Sequence, residues 1–273
     1  MSDPNDGDYE IVEGLKTFYI KRGGGHPLVL IHGAAPGASS RVSWKLNIES
    51  LASAGFAVYA FDQPGFGYTD NPKDHSLEYR VTHARAFLNQ LGLERFHVIG
   101  NSVGAYIAAR IALEDPRIGR LVLVSSSTLA PKGSAESEKL AKQHSAELRE
   151  FSPGIENMRM LTMGTLFNRA LVDEPLVRER YEMSIGKNSE AQSARRNAAP
   201  AKPIEDELAD IKCKTLILWG NNDRGAAVER ALLLFRLIPN AELHIFDRGA
   251  HWVQWDQAAR FNRIVADFLN ASG

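Results

Sequence analysis

Six short, mostly apolar runs separated by helical patterns constrain this chain most. They are Leu28–Ile31, Ala57–Phe61, Phe96–Ile99, Leu121–Val124, Thr215–Trp219 and Leu243–Phe246. A half-solvated strand alternates apolar with polar residues, whereas an unbroken apolar run needs cover on both faces. Helical patterns at Trp44–Ser53, Leu77–Leu91, Ala105–Leu113, Ala226–Leu237 and Gln257–Leu269 can supply that cover. The alternation predicts an α/β fold, with a mostly parallel central sheet and helices on both faces. Tyr9–Val12 and Lys16–Ile20 add a hairpin turning at Glu13-Gly14.

The rhythm fails between Pro131 and Pro203, where helical pieces such as Glu136–Glu150 occur without a convincing strand. Residues 131–203 are therefore expected to form a helical cap inserted over the C-terminal edge of the sheet, where open α/β folds bind ligands. The core would then comprise residues 9–130 and 204–273. The polar, acidic start, residues 1–8, is expected to be disordered. Met158, Met160 and Met163 in the cap fit either plain packing or a substrate wall.

The 273 residues suffice for one such core and its insertion. With 32 Lys+Arg against 33 Asp+Glu there is no basic stripe for nucleic acid, and Arg195-Arg196 reads as a solvated pair. No apolar stretch approaches the roughly 18 residues of a membrane span. A single cysteine, Cys213, allows no intrachain disulfide and fits a reducing, cytoplasmic compartment. A homo-oligomer is left open.

Chemistry concentrates at Gly100-Asn101-Ser102-Val103-Gly104, between the run ending at Ile99 and a small-residue helix pattern. A serine in a sharp strand-to-helix turn is pushed toward positive φ, and side chains two positions either side would collide. The turn lifts the hydroxyl to a helix N-terminus, which favours a developing anion. Ser102 is thus the candidate nucleophile; alone, the motif could equally be a structural turn.

A nucleophilic serine needs a base, and the base an orienting acid. Of eight histidines, His26, His75, His83 and His144 read as surface residues, His97 and His244 as packing, and His32 as a brace for the loop after Ile31. His251 follows the last strand, at the edge where Ser102 lies. Asp223, in Gly220-Asn221-Asn222-Asp223, follows the preceding strand, although Asn-Asn-Asp is also turn chemistry. The order Ser102, Asp223, His251 fits a triad. Small residues at Gly33-Ala34-Ala35 would let backbone N–H groups approach an oxyanion, with Ala34 and Val103 as donors.

Together these features resemble the α/β-hydrolase superfamily from Tyr9 to Leu269, including the turn Asp62-Gln63-Pro64-Gly65-Phe66-Gly67. The segments His32–Ala38, Gly100-Asn101-Ser102, Asn222-Asp223-Arg224, His251–Trp255 and Phe261-Asn262-Arg263 are similar to those of meta-cleavage-product hydrolases. That resemblance implies hydrolysis of the C5–C6 bond of a 2-hydroxy-6-oxo-hexa-2,4-dienoate from aromatic catabolism, with no metal or organic cofactor. It also implies a substrate site of Gly33, Ser43, Asn101, Arg180 and Trp252. Arg180 would hold the carboxylate end, and Asn101 would donate to the developing dienolate. On sequence alone Arg180 is a surface helix residue.

Three positions depart from the family pattern. Ser43 stands near a frequent asparagine, Thr165 near an aromatic cap residue with Phe167 close by, and Ala250 at a frequent cysteine. A carboxylesterase or lactonase using the same triad is the alternative reading. A ligand-sensing receptor on the same fold is a third.

Overall fold

The computed structural model describes residues 6–271. Its strands are β1 (Asp8–Val12), β2 (Leu15–Arg22), β3 (His26–Ile31), β4 (Phe56–Phe61), β5 (Phe96–Asn101), β6 (Ile118–Val124), β7 (Lys214–Gly220) and β8 (Ala241–Phe246). They form one sheet in the order β1-β2-β4-β3-β5-β6-β7-β8. The β1–β2 and β2–β4 pairs are antiparallel, and the remaining pairs are parallel. The β1–β2 hairpin turns at Glu13 and Gly14, both at positive φ. Of the start expected to be disordered, residues 1–5 lie outside the described residues. Asp8 already pairs with Tyr19, because the hairpin ladder runs one residue further than the apolar pattern.

Side-chain alternation between two covered faces explains why the central parallel strands are mostly apolar. Val29 and Ile31 enter one core with Phe87 of α3 (Leu77–Gln90), Ile107 of α4 (Val103–Glu114) and Leu234 of α9 (Glu229–Leu237). Leu28 and Leu30 enter the other, with Trp44 of α1 (Ser40–Trp44), Leu51 of α2 (Ile48–Ser53) and Val265 of α11 (Ala258–Asn270). Burying each such side chain fully contributes roughly 1.5–3 kcal/mol.

Of the helix expected over Trp44–Ser53, only α2 from Ile48 forms; a separate helix, α1, ends at Trp44. Between them Asn47 is buried, and its amide donates to Gln254 O (3.0 Å) and Asn262 Oδ1 (2.8 Å). Those long-range bonds fix the chain where a continuous helix would run. The helix expected from Ala226 begins only at Glu229, because the Gly225 and Ala226 N–H groups donate to Asp223 Oδ1 (2.8 and 2.9 Å) instead. The helix expected over Gln257–Leu269 is α11, and a further short helix, α10 (Val253–Asp256), precedes it.

Between β6 and β7 the described chain forms helices and loops: α5 (Ala135–Glu150), α6 (Ile155–Thr165), a short 3₁₀ turn, α7 (Glu174–Glu182), α8 (Lys187–Arg196) and a second 3₁₀ segment. Asp256 ties this region to the core. Its carboxylate accepts from the N–H of Phe167 (3.0 Å), Asn168 (2.9 Å) and Ala250 (2.9 Å). At the start of α5, Arg230 contacts Glu138 and donates to Ser127 O.

Candidate active site

Residues after β3, β5, β7 and β8 meet at the C-terminal edge of the sheet. The chain steps from β3 outward to β4, then crosses to β5 on the other side of β3. A crevice is expected at such a reversal of strand order. There, a cavity of about 560 Å³ is lined by Gly33, Ala34, Asn101, Ser102, Val103 and His251, among others.

Ser102 links β5 to α4 with φ 57° and ψ −122°. A Cβ at Gly100 would run into the Gly104 carbonyl, and one at Gly104 into the Ile31 carbonyl. Only glycine lets the turn close so tightly against its own helix and against β3. The Ser102 side chain does not cap α4, so it is not spent on the helix end. Val103 is the first residue of α4, and its N–H has no acceptor one turn earlier.

His251 Nδ1 lies 2.8 Å from Asp223 Oδ2. With its other oxygen receiving the two loop N–H groups, the Asp223 carboxylate is held rigidly. Burial works against the His251 imidazolium, but the charge and hydrogen bond of Asp223 outweigh it and hold the pKa above the ordinary histidine value. His32 braces the neighbouring loop. It is fully buried, accepts from the Gln63 N–H at 3.0 Å, and burial drives its pKa down to about 3.

The remaining predicted site residues are near but not equivalent. Gly33, Ser43 and Trp252 line the cavity, and the buried Ser43 Oγ has no partner. A Cβ at Gly33 would stand 3.2 Å from Ser102 Cβ, so a larger residue would crowd Ser102. Arg180 is not in the cavity wall. It is fully buried behind it, 4.7 Å from the Trp252 ring, donating to Thr162 Oγ1 (2.9 Å) and Pro36 O (3.2 Å). Among the described residues it has no carboxylate partner, and desolvation lowers its pKa to about 9. The surface reading of Arg180 is therefore wrong, because the α7 face that carries it packs inward.

Asn101 differs from expectation. Its amide nitrogen donates to Val124 O (3.3 Å) and His251 O (3.4 Å), while Oδ1 is unpartnered. With both N–H bonds drawn to the ends of β6 and the His251 loop, the free group is an acceptor rather than the donor expected.

Sequence reasoning missed other residues here. His144 of α5 was expected at the surface, but it lines the cavity with its ring 6.0 Å from that of His251. His83 is also internal, paired with Thr17 Oγ1 at 2.9 Å across the β1–β2 hairpin. Arg195, expected to be solvated, lines the cavity together with Arg80, Arg149 and Arg196. Only contacts between distant elements reveal these, so no local pattern could have. Thr165 lines the cavity, whereas Phe167 is half exposed and stacks with Arg248. Among the described residues no cluster of metal-ligating side chains is present, and no helix is long and apolar enough to cross a membrane.

Residues 26–258 match the family model described as alpha/beta hydrolase fold. The chain is 33% identical to 2-hydroxy-6-oxononadienedioate/2-hydroxy-6-oxononatrienedioate hydrolase 2 of Pseudomonas putida, over 90% of this chain and 88% of that protein. It is also 33% identical to 2-hydroxy-6-oxo-6-phenylhexa-2,4-dienoate hydrolase of Comamonas testosteroni, over 92% and 90%. Among solved structures it is similar to the meta-cleavage product hydrolase CumD of Pseudomonas fluorescens IP01, a serine-to-alanine mutant complexed with acetates. There the TM-score is 0.86 and the identity 32%, covering 98% of this chain and 99% of that one.

Proposed function

We propose that this chain, which belongs to the α/β-hydrolase superfamily and within it to the meta-cleavage-product hydrolases, cleaves the C5–C6 bond of a 2-hydroxy-6-oxo-dienoate. The products are a carboxylic acid and a 2-hydroxydienoate. In this reading residues 131–203 are the cap over the site, and the reaction proceeds by serine catalysis in aromatic catabolism.

Ester cleavage expels an alkoxide, but C–C cleavage expels a carbanion, which needs an electron sink. The substrate's 2-hydroxyl first gives up its proton while C5 gains one, leaving a 2-oxo group conjugated with C3=C4 and a CH2 at C5 beside the C6 carbonyl. Asn101 Oδ1 suits the first part of this step, as an acceptor for the enol O–H. His251 takes the Ser102 proton as the Ser102 oxygen adds to the C6 carbonyl. The resulting oxyanion is held by the N–H groups of Ala34 and Val103; such a donor typically contributes about 2.7–4 kcal/mol. On collapse, the C5–C6 electrons move onto the 2-oxo group as a dienolate, and the proton that His251 took from Ser102 completes the 2-hydroxydienoate, leaving His251 neutral. Water, deprotonated by His251, then adds to the acyl-Ser102 and releases the acid.

The observation that carries this reading is Arg180. A guanidinium fully withdrawn from water, stacked on the cavity-lining Trp252 and without an acidic partner, is expensive to keep. A neutral ester pocket has no use for it, whereas the carboxylate and dienolate of a dienoate would compensate it. Mixing the protein with a yellow 6-alkyl or 6-phenyl dienoate should bleach the colour. In Ser102→Ala, stopped-flow mixing should show a persistent red-shifted species, because binding perturbs the chromophore while cleavage is blocked. Rapid hydrolysis of short esters with every dienoate left intact and unshifted would instead establish the esterase alternative.

A further inference from the structure

We infer that the free edge of β8 is an interface for a second copy of this chain, which adds antiparallel across a twofold axis, with the exposed face of α9 completing the contact. The inference is independent of which bond the Ser102 site cleaves.

β8 is the last strand of the sheet, and its ladder partner is β7. The Asn240 and Phe246 carbonyls accept from the N–H groups of Thr215 and Asn221, on the β7 side. The backbone groups of alternate residues in a strand point to the same edge, so those of Glu242 and His244 face β7 as well. The N–H and C=O groups of Leu243 and Ile245 therefore face outward, where no strand stands among the described residues.

Such an edge is a template for another strand unless charge, proline or a bulge blunts it. The opposite edge of the sheet is blunted, because β1 carries Asp8 and Glu10. β8 carries neither lysine nor proline and keeps an unbroken register with β7. Ile245 is 37% exposed. α9 shares a core with β7 and β8, yet leaves Leu232 and Phe235, one turn apart, 46% and 41% exposed.

A second copy satisfies these features together. In an antiparallel pair, outward-facing residues must meet outward-facing residues, because each such pair exchanges both N–H···O bonds. Setting Leu243 opposite Ile245 of the second copy does this, and the twofold axis repeats the exchange. The same register sets Glu242 opposite Phe246 on the other face of the sheet. Arg260 of α11 lies over the Phe246 ring, 5.5 Å from its centroid, and its ion pair with Asp247 is stretched to 4.0 Å. Glu242 is exposed and in no ion pair among the described residues. Opposite charges thus meet on either side of the axis. An unrelated strand could use the backbone edge but would lack this match. An axis normal to the joined sheet also brings both α9 helices to one side of it, so Leu232 and Phe235 are covered by their counterparts.

Sedimentation velocity and light scattering on the full chain test this. At micromolar concentration the wild type should have twice the chain mass. Ile245→Pro removes an N–H that faces away from β7, so it should raise the dimer dissociation constant about tenfold or more while the circular dichroism of the fold is retained. Phe235→Glu alters no backbone bond and should weaken the dimer similarly, by placing a charge in the α9 contact. Glu242→Arg should weaken it by repulsion from Arg260, and adding Arg260→Glu should recover it. A monomeric wild type overturns the inference. So does a dimer that Ile245→Pro and Phe235→Glu leave intact, since the contact would then use another face. Failure of Arg260→Glu to recover Glu242→Arg overturns the register, and the first two variants still decide the edge.

Discussion

At the scale of single residues, the site works by holding groups in states they would not choose. Ser102 has a backbone that L-residues avoid, at a typical cost of about 1–3 kcal/mol. Ser102→Ala should keep the fold yet nearly abolish turnover, and adding His251→Ala should lower kcat little further, because triad members act as a unit. Steady-state kinetics on both variants checks this; additive losses would separate the two roles. His251 must be neutral to accept the Ser102 proton, so its raised pKa means that kcat/KM falls with decreasing pH at a midpoint above about 6.5. Asp223→Asn should lower the rate and move that midpoint down, since burial is then unopposed. The same coupling stabilises the fold below the ordinary histidine pKa and is lost as pH rises through the folded value. Arg180→Met should reduce dienoate kcat/KM by roughly tenfold or more relative to a neutral p-nitrophenyl ester; equal losses on the two substrates would indicate general damage. Ser102, Asp223 and His251 were readable because a sharp turn and chain order leave local traces. Arg80, Arg195 and His144 were not, because whether a helix side chain turns into a cavity depends on partners far along the chain.

Among the elements, the periodic signal marked where strands and helices lie and failed where a tertiary bond interrupts them. Asn47 divides α1 from α2, and Asp223 delays α9, both through side-chain hydrogen bonds that no local propensity encodes. Asp256 is the comparable tie between α10, the loop after α6 and the His251 loop. Replacing it with Ala removes three charge-assisted bonds from backbone N–H groups. The expected result is a loss of about 1–3 kcal/mol, a Tm lower by several degrees, and a dienoate KM that rises more than the ester KM. Thermal unfolding together with kinetics on both substrates tests this. An unchanged Tm would mean that solvent replaces these bonds.

Across the whole molecule, the two cores and the helices between β6 and β7 differ in how firmly they are held. α4 buries Gly104 through Ala109 and Ile111 between the sheet and α3, while α5 buries only Ser137. Amide hydrogen exchange should therefore protect α4 and the central strands far more than α5. Comparable protection in α5 would point to a cover for that helix. The sheet itself was readable because a strand covered on both faces must be apolar along its length. The arrangement of the helices between β6 and β7 was not, since amphipathic helices can be docked in several ways over one edge.

β6 and β7 are hydrogen-bonded neighbours, Val124 beside Leu218, although the whole run of helices from α5 to α8 intervenes between them in the chain. The two ends of that excursion are thus anchored side by side by the ladder, whatever its length. Lengthening a loop whose ends are already fixed adds only about 0.6 kcal/mol per doubling. Inheritance can therefore treat this junction as a socket. A lineage can exchange one set of helices for another, and with it the chemical appetite of the enzyme, while Ser102, Asp223 and His251 stay in the loops that leave β5, β7 and β8.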